Sequence, residues 1–174
     1  VHATLHELHA AFAATLPAGA HILDAGCGSG RDSLAFLQRG YRVTAFDASA
    51  ALVARAEAWV RQQSADSRHF TITTRRFQQV AEQATYDGIW ACASLLHVPA
   101  AELPDCLARL WQAIKPGGVL YCSFKLGHGE RTDELGRHFT DADEAQLTDW
   151  VSGLPAVRET RLWRSGDQTG REVV

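Results

Sequence analysis

Methionine is missing from all 174 residues, even position 1, and the chain is expected to begin at a processed or trimmed start. Lysine is nearly missing too: only Lys115 and Lys125 contribute to the 17 Lys+Arg, so almost every fixed cation is an Arg. Against 20 Asp+Glu the formal net charge is −3, which lacks the clustered basic excess of a dedicated nucleic-acid binder. Cysteine is sparse. Cys27, Cys92, Cys106 and Cys122 form no C-x-x-C pair and no Cys/His ligand spacing, so neither a disulfide framework nor a structural zinc site is indicated, and the thiols read as reduced. No apolar run approaches the roughly 18–20 residues of a membrane span. No basic leader with an apolar core opens the chain, as a secretory signal would. These absences point to a cytoplasmic protein with no membrane partner. The length suits one domain (1–174), enough to bury about 70% of its unfolded surface.

Two alternating periodicities fill that length. Leu5, Leu8, Phe12 and Leu16 recur at helical spacing, so about 2–16 reads as an amphipathic helix ended by Pro17 and Gly19. Short apolar strands are expected at 21–25, 41–46, 70–74, 86–92 and 119–124. Helices are expected at 32–39, 50–62, 103–114 and 141–151, with Lys115-Pro116-Gly117-Gly118 stopping the third of these. Residues 157–163 alternate like a further strand, and Val173-Val174 begin another. Strands separated by helices of ten or so residues imply βαβ units, a parallel sheet and helices on both faces. The polar segment 125–140, with Gly127, Gly129 and Gly136, lacks periodicity and reads as a lid-like loop.

In such a sheet, ligands bind beyond the carboxyl ends of the strands. The first strand end reads Asp24-Ala25-Gly26-Cys27-Gly28-Ser29-Gly30-Arg31. A dinucleotide fingerprint, G-x-G-x-x-G, requires Gly at position 31, where Arg31 stands, and no Gly-Lys-Ser/Thr of a phosphate loop follows. An acid before three alternating glycines suits a ligand with an amino group and no phosphate. Asp47, 21 positions after Gly26, ends the second strand. It is placed to accept from a ribose diol, or to cap the helix that starts near Ser49.

Leu23 to Gly30 followed by Val43-Thr44-Ala45-Phe46-Asp47 resembles the first two motifs of class I S-adenosylmethionine-dependent methyltransferases. Tyr86 to Ala91 and Leu110 to Phe124 resemble the fourth- and fifth-strand motifs, in family order, over about residues 17–125. Gly30-Arg31-Asp32-Ser33 and Ser94 to Pro99 look most like the small bacterial stand-alone members, including the tellurite-resistance type. The resemblance implies an α/β, Rossmann-like, doubly wound sheet, mostly parallel, of about seven strands, the last antiparallel and truncated here, because only Arg171 to Val174 remain for it. It implies S-adenosylmethionine as cofactor. Asp24, Gly26, Cys27, Gly28, Gly30 and Arg31 would surround its methionine part, Asp47 its ribose and Ala48 its adenine, and Cys92, Ala93 and Ser94 would line the pocket. The acid that many relatives carry after the third strand is absent, and Phe77 and Gln78 are the residues left there to meet the adenine.

Methyl transfer needs alignment, exclusion of water and, for some acceptors, a base. His97 follows the fourth strand and is the candidate base, or a residue that packs the loop before Pro99. The lid carries Arg131 and Arg137, which suit an anionic substrate or pair with acids of their own loop. His2, His6 and His9 share a helical face, but no carboxylate or Cys completes a metal site there, and a surface or cofactor-covering face is the expectation. Trp59, Trp90, Trp111, Trp150 and Trp163 read as packing residues, and no Asn/Asp-Pro-Pro-aromatic stretch of a DNA methyltransferase follows the fourth strand. The reading is methyl transfer to a small molecule. Its rivals are a nicotinamide-dependent oxidoreductase and a catalytically silent S-adenosylmethionine-binding module.

Overall fold

Strands apolar on both faces need helices on both sides, and the chain order supplies them. The computed structural model describes residues 4–166 and 172–174. Within it β1 (His21–Ala25), β2 (Arg42–Asp47), β3 (Phe70–Thr74), β4 (Tyr86–Ala91) and β5 (Ile114–Cys122) form one parallel sheet, in the order β3-β2-β1-β4-β5. Helix α1 (Leu5–Ala13) precedes β1; α2 (Arg31–Gln38), α3 (Ala50–Gln63) and α4 (Leu103–Ala113) connect the strands, and α5 (Glu144–Ser152) follows. Alternate strand residues divide the core. Ile22, Val43, Ala45 and Trp90 face one layer with Phe12, Phe36 and Val60, whereas Leu23, Phe46, Ile89 and Ala91 face the other with Leu107, Leu110 and Trp150. The sheet is therefore doubly wound, and the chain direction switches between β1 and β4.

Local chemistry sets the element ends. Thr4 and Glu7 form a reciprocal capping box, so α1 starts at Leu5. Phe12 and Leu16 press on the sheet where Gly88 lacks a side chain; a Cβ there would lie 2.8 and 3.0 Å from them. The strand expected from Val119 already begins at Ile114. Lys115 to Gly118 form a bulge between the pairs Tyr86↔Ile114 and Gly88↔Val119, and Lys115 Nζ donates to Asp87 Oδ1 at 2.9 Å.

The sheet has five strands where about seven were expected. Residues 157–163 form none: Val157 packs against the core, but Leu162 and Trp163 stand exposed and Arg158, Glu159 and Arg161 between them leave no continuous apolar face. The antiparallel ending is present in short form, because Phe124 N–H donates to Val174 O (2.7 Å) and Val174 N–H to Phe124 O (3.0 Å). β8 (Ser165–Gly166) and β9 (Glu172–Val173) pair antiparallel. The segment 125–140 is no loop: β6 (Glu130–Thr132) and β7 (His138–Thr140) make an antiparallel hairpin. Trp90 and Trp150 are core residues, but Trp59 and Trp163 stand exposed, contrary to a packing role for all five. No helix among the described residues is long and apolar enough to cross a membrane.

Candidate functional site

The strand order reverses between β1 and β4, the place where a sheet of this kind leaves room for a ligand, and the glycine turn follows the carboxyl end of β1 there. Gly26 and Cys27 N–H both donate to Phe46 O at 2.9 Å, which draws the turn against β2. Gly26 and Gly28 have φ of 78° and 54°, where L side chains are strained. A Cβ on Gly26 would lie 2.5 Å from Ser94 Cβ, whereas one on Gly28 would have no atom within 4 Å. The two glycines thus serve different ends: Gly26 allows β1 and the β4 loop to meet, and Gly28 leaves bare backbone facing open space. Gly30, the N-cap of α2, packs against Ala56 and Val60 of α3. Gly26→Ala is expected to cost about 3–5 kcal/mol, from strain plus overlap, and Gly28→Ala only about 1–2, read as melting temperatures.

Two buried acids lie behind the turn. Asp24 Oδ2 accepts from Ser33 Oγ–H at 2.6 Å. Burial, and then the Asp32 charge, push its carboxyl up to about 8. Asp32 accepts from Trp90 Nε1–H (2.9 Å) and from Arg31 Nε and Nη2 (2.8 and 3.1 Å), and stands 3.1 Å from His9 Nε2. Burial alone would raise Asp32, but the bonds from His9 and Arg31 outweigh it and hold the carboxyl far below the usual range. The two acids therefore titrate in opposite directions. Because the folded-state pKa of Asp24 is raised, its contribution to stability is fully present below about pH 4 and lost as the pH rises towards about 8. Denaturation between pH 5 and 8.5 is expected to show a fall in stability that Asp24→Asn removes.

Ser49, not Asp47, is the N-cap of α3, and Asp47 is half-buried. Oδ2 accepts from Gly28 N–H (3.0 Å) and Oδ1 from Ser49 N–H (2.9 Å), so it braces the turn and the start of α3. A carboxylate has about four acceptor positions, and these two bonds occupy half. Ala48 is exposed beside it. After β3, where an acid was missed, Arg75 N–H donates to Asp47 O at 3.0 Å, and the Arg75 guanidinium lies 4.8 Å over the Phe46 ring. Phe77 is buried edge-on against Phe46, centroids 5.1 Å apart, next to Gly26. Gln78 turns outward and donates to Glu102 at 2.6 Å.

At the end of β4, Ala93 adopts φ 49° with its N–H held by Ser123 Oγ (2.9 Å), and Ser94 Oγ–H donates to Ala25 O (2.6 Å). Ala93 is thus held at its N–H in a left-handed conformation, which Ala84 and Ala156 also adopt elsewhere, while its neighbour Ser94 is tied to β1. His97 is exposed, with Nδ1 2.7 Å from His138 O. Burial pushes the Cys27 and Cys92 thiols up, Cys92 to about 11, so neither is a thiolate at neutral pH.

Other expected residues find protein partners. Arg131 grips Asp141 through Nε and Nη2 (2.7 and 3.0 Å), and Arg137 pairs with Asp133 at 2.7 Å. His9 is buried against Phe36 and Trp90, not on a surface or cofactor-covering face; His6 is exposed, and His2 lies outside the described residues. Sequence reasoning missed Asp32, Ser33 and Ser123, and read Ser94 only as a small residue lining the pocket. A helical His facing the sheet was the available signal for the first; the serines carry no periodicity.

The family profile described as "Methyltransferase domain" matches residues 22–118. Trans-aconitate 2-methyltransferase of Deinococcus radiodurans is 32% identical over 67% of this chain and 42% of its own length. Malonyl-[acyl-carrier protein] O-methyltransferase of Enterobacter lignolyticus is 37% identical over 63% and 41%. The chain thus spans less than half the length of these curated relatives. Burkholderia thailandensis 1,6-didemethyltoxoflavin-N1-methyltransferase, solved with 1,6-didemethyltoxoflavin and S-adenosylhomocysteine, shares the fold: TM-score 0.78, 23% identity, 95% of this chain and 73% of that one.

Proposed function

The chain belongs to the methyltransferase domain family, class I, and from that premise we propose that it binds S-adenosylmethionine at the β1–β4 crevice and methylates a small-molecule acceptor. The observation that carries the reading is the open Gly28 backbone set between the buried Asp24 and the half-buried Asp47. The donors fit the group. Asp24 is a buried acid raised by its burial and then by the Asp32 charge, and an ammonium beside it supplies a counter-charge. The spare acceptor positions of Asp47 match a ribose diol. Ala48, exposed beside Asp47, is the residue left to meet the adenine, since Phe77 is buried against Phe46 and the Gln78 amide is engaged by Glu102. A nicotinamide dinucleotide fits less well, because Arg31 replaces the third glycine.

When bound, S-adenosylmethionine supplies a methyl group already activated on a sulfonium. The protein's task is then to orient and to keep water out. Ala93, fixed by Ser123, and Ser94, fixed by Ala25, shape the wall. His97 acts as the base: its Nδ1 faces a carbonyl, which only accepts, so Nδ1 carries the proton and Nε2 the lone pair. The name of the Deinococcus relative supports a small acceptor, that of the Enterobacter relative an acyl group carried on a protein, and the net charge of −3 lacks the basic excess of a nucleic-acid enzyme.

Thermal melts test the reading. S-adenosylhomocysteine at about 100 times its Kd is expected to add about 2.7 kcal/mol, or roughly 5–10 °C, while NADH and NADPH leave the melt unchanged. Stabilisation by NAD(P)H alone would favour the oxidoreductase. Stabilisation by S-adenosylhomocysteine without methyl transfer to any acceptor would favour a silent binding module.

A further inference from the structure

The hairpin β6–β7 touches the β4 loop at three places. Thr140, buried, donates its Oγ1–H to Val98 O at 2.7 Å. Glu130 Oε1 accepts from Ala100 N–H at 2.9 Å. The His138 carbonyl faces His97 Nδ1 at 2.7 Å. His138 Nε2 ties these together, lying 3.1 Å from Thr140 Oγ1 and 3.2 Å from Glu130 Oε1.

The protons in this network have one consistent arrangement. The single hydroxyl proton of Thr140 goes to Val98 O, so Oγ1 accepts from His138 Nε2–H. The same Nε2–H faces Glu130, whose carboxylate only accepts. The His138 carbonyl only accepts, so it receives Nδ1–H of His97 and leaves the lone pair on Nε2. Phe139, between the two contact residues of β7, stands edge-on to the His97 ring at 4.7 Å. Its own ring lies under the guanidinium groups of Arg131 (4.4 Å) and Arg137 (5.4 Å), both already paired with acids. Those two arginines support the wall that holds His97.

We propose that the β6–β7 hairpin is a positioning device for His97: the His138 carbonyl selects its Nδ1–H tautomer, and Thr140 and Glu130 hold that carbonyl in place. Thr140 and His138 are positioning residues. The inference rests on the reading of His97 as base for its purpose, but not for its geometry.

Ring-nitrogen correlation spectra of the 15N-labelled chain at pH 8.5 test it, with His97 assigned by the signals lost in His97→Gln. The wild type is expected to show His97 chiefly as the Nδ1–H form. Thr140→Val is expected to make that form the minor one, and Thr140→Ser to restore it. A wild-type His97 found chiefly as Nε2–H overturns the proposal, as does a tautomer unchanged in Thr140→Val. If Thr140→Val does not fold, Glu130→Ala, at an exposed position, replaces it with the same expected loss. Turnover that survives His97→Gln removes the base reading alone, and the tautomer result still decides the positioning.

Discussion

Asp32→Ala is expected to lower the melting temperature by about 6–20 °C. Its carboxylate gathers donors from three elements: His9 of α1, Arg31 at the start of α2 and Trp90 in β4. Removing it leaves the Trp90 N–H, in a fully buried ring, with no acceptor and unpairs Arg31. A buried donor left without an acceptor costs about 1–3 kcal/mol and lost hydrogen bonds to a charged group about 1.5–3, together about 3–5 kcal/mol. At roughly 2–4 °C per kcal/mol for a domain of this size, that gives the stated fall. Because the Asp32 carboxyl is held low, its stabilisation is present above about pH 4 and is lost in acid, opposite to Asp24. Circular-dichroism melts with Trp fluorescence at pH 7 read the effect. A fall below about 3 °C would show that packing of α1, not this acid, holds the layer.

Asp47→Ala is expected to weaken S-adenosylhomocysteine binding by about 100-fold. Hydrogen bonds to a charged group are worth about 1.5 kcal/mol or more each, and two of them to a ribose diol give about 3 kcal/mol. The fold is expected to survive. The lost anchors are Gly28 N–H and Ser49 N–H at a half-buried position, and Ser49 still caps α3 through Leu52 N–H at 3.3 Å. The melting temperature without ligand checks the second statement and a binding isotherm the first.

The βαβ order, the strands at 21–25 and 70–74 and the family motifs could be read from sequence because apolar runs and glycine turns are local signals. The failures share a cause. The bulge at Lys115 to Gly118 looked like a stop because proline and glycine mark breaks, yet strand pairing with β4 continues on both sides of it. Residues 157–163 had the right alternation without a continuous apolar face. The hairpin at 130–140 was hidden because its strands have three residues each, and its register depends on contacts with residues 97–100. Of the residues expected at the site, Asp47 at the end of β2 does meet the glycine turn through the Gly28 N–H, and Asp24 lies one residue before the end of the neighbouring strand β1. Arg131 and Arg137 were placed by charge alone, and charge did not reveal their partners Asp141 and Asp133. The acids Asp24 and Asp32 form a pair only through the α2 turn, a tertiary fact.

Calorimetric titration of S-adenosylhomocysteine into the protein at pH 7, in two buffers of different ionisation enthalpy, tests the central claim most directly. The crevice predicts one site per chain and proton release, as an ammonium displaces the proton of the raised Asp24 carboxyl. Release is expected to vanish in Asp24→Asn. Absence of binding heat, or binding as tight in Asp47→Ala as in the wild type, would contradict an S-adenosylmethionine site at the ends of β1 and β2.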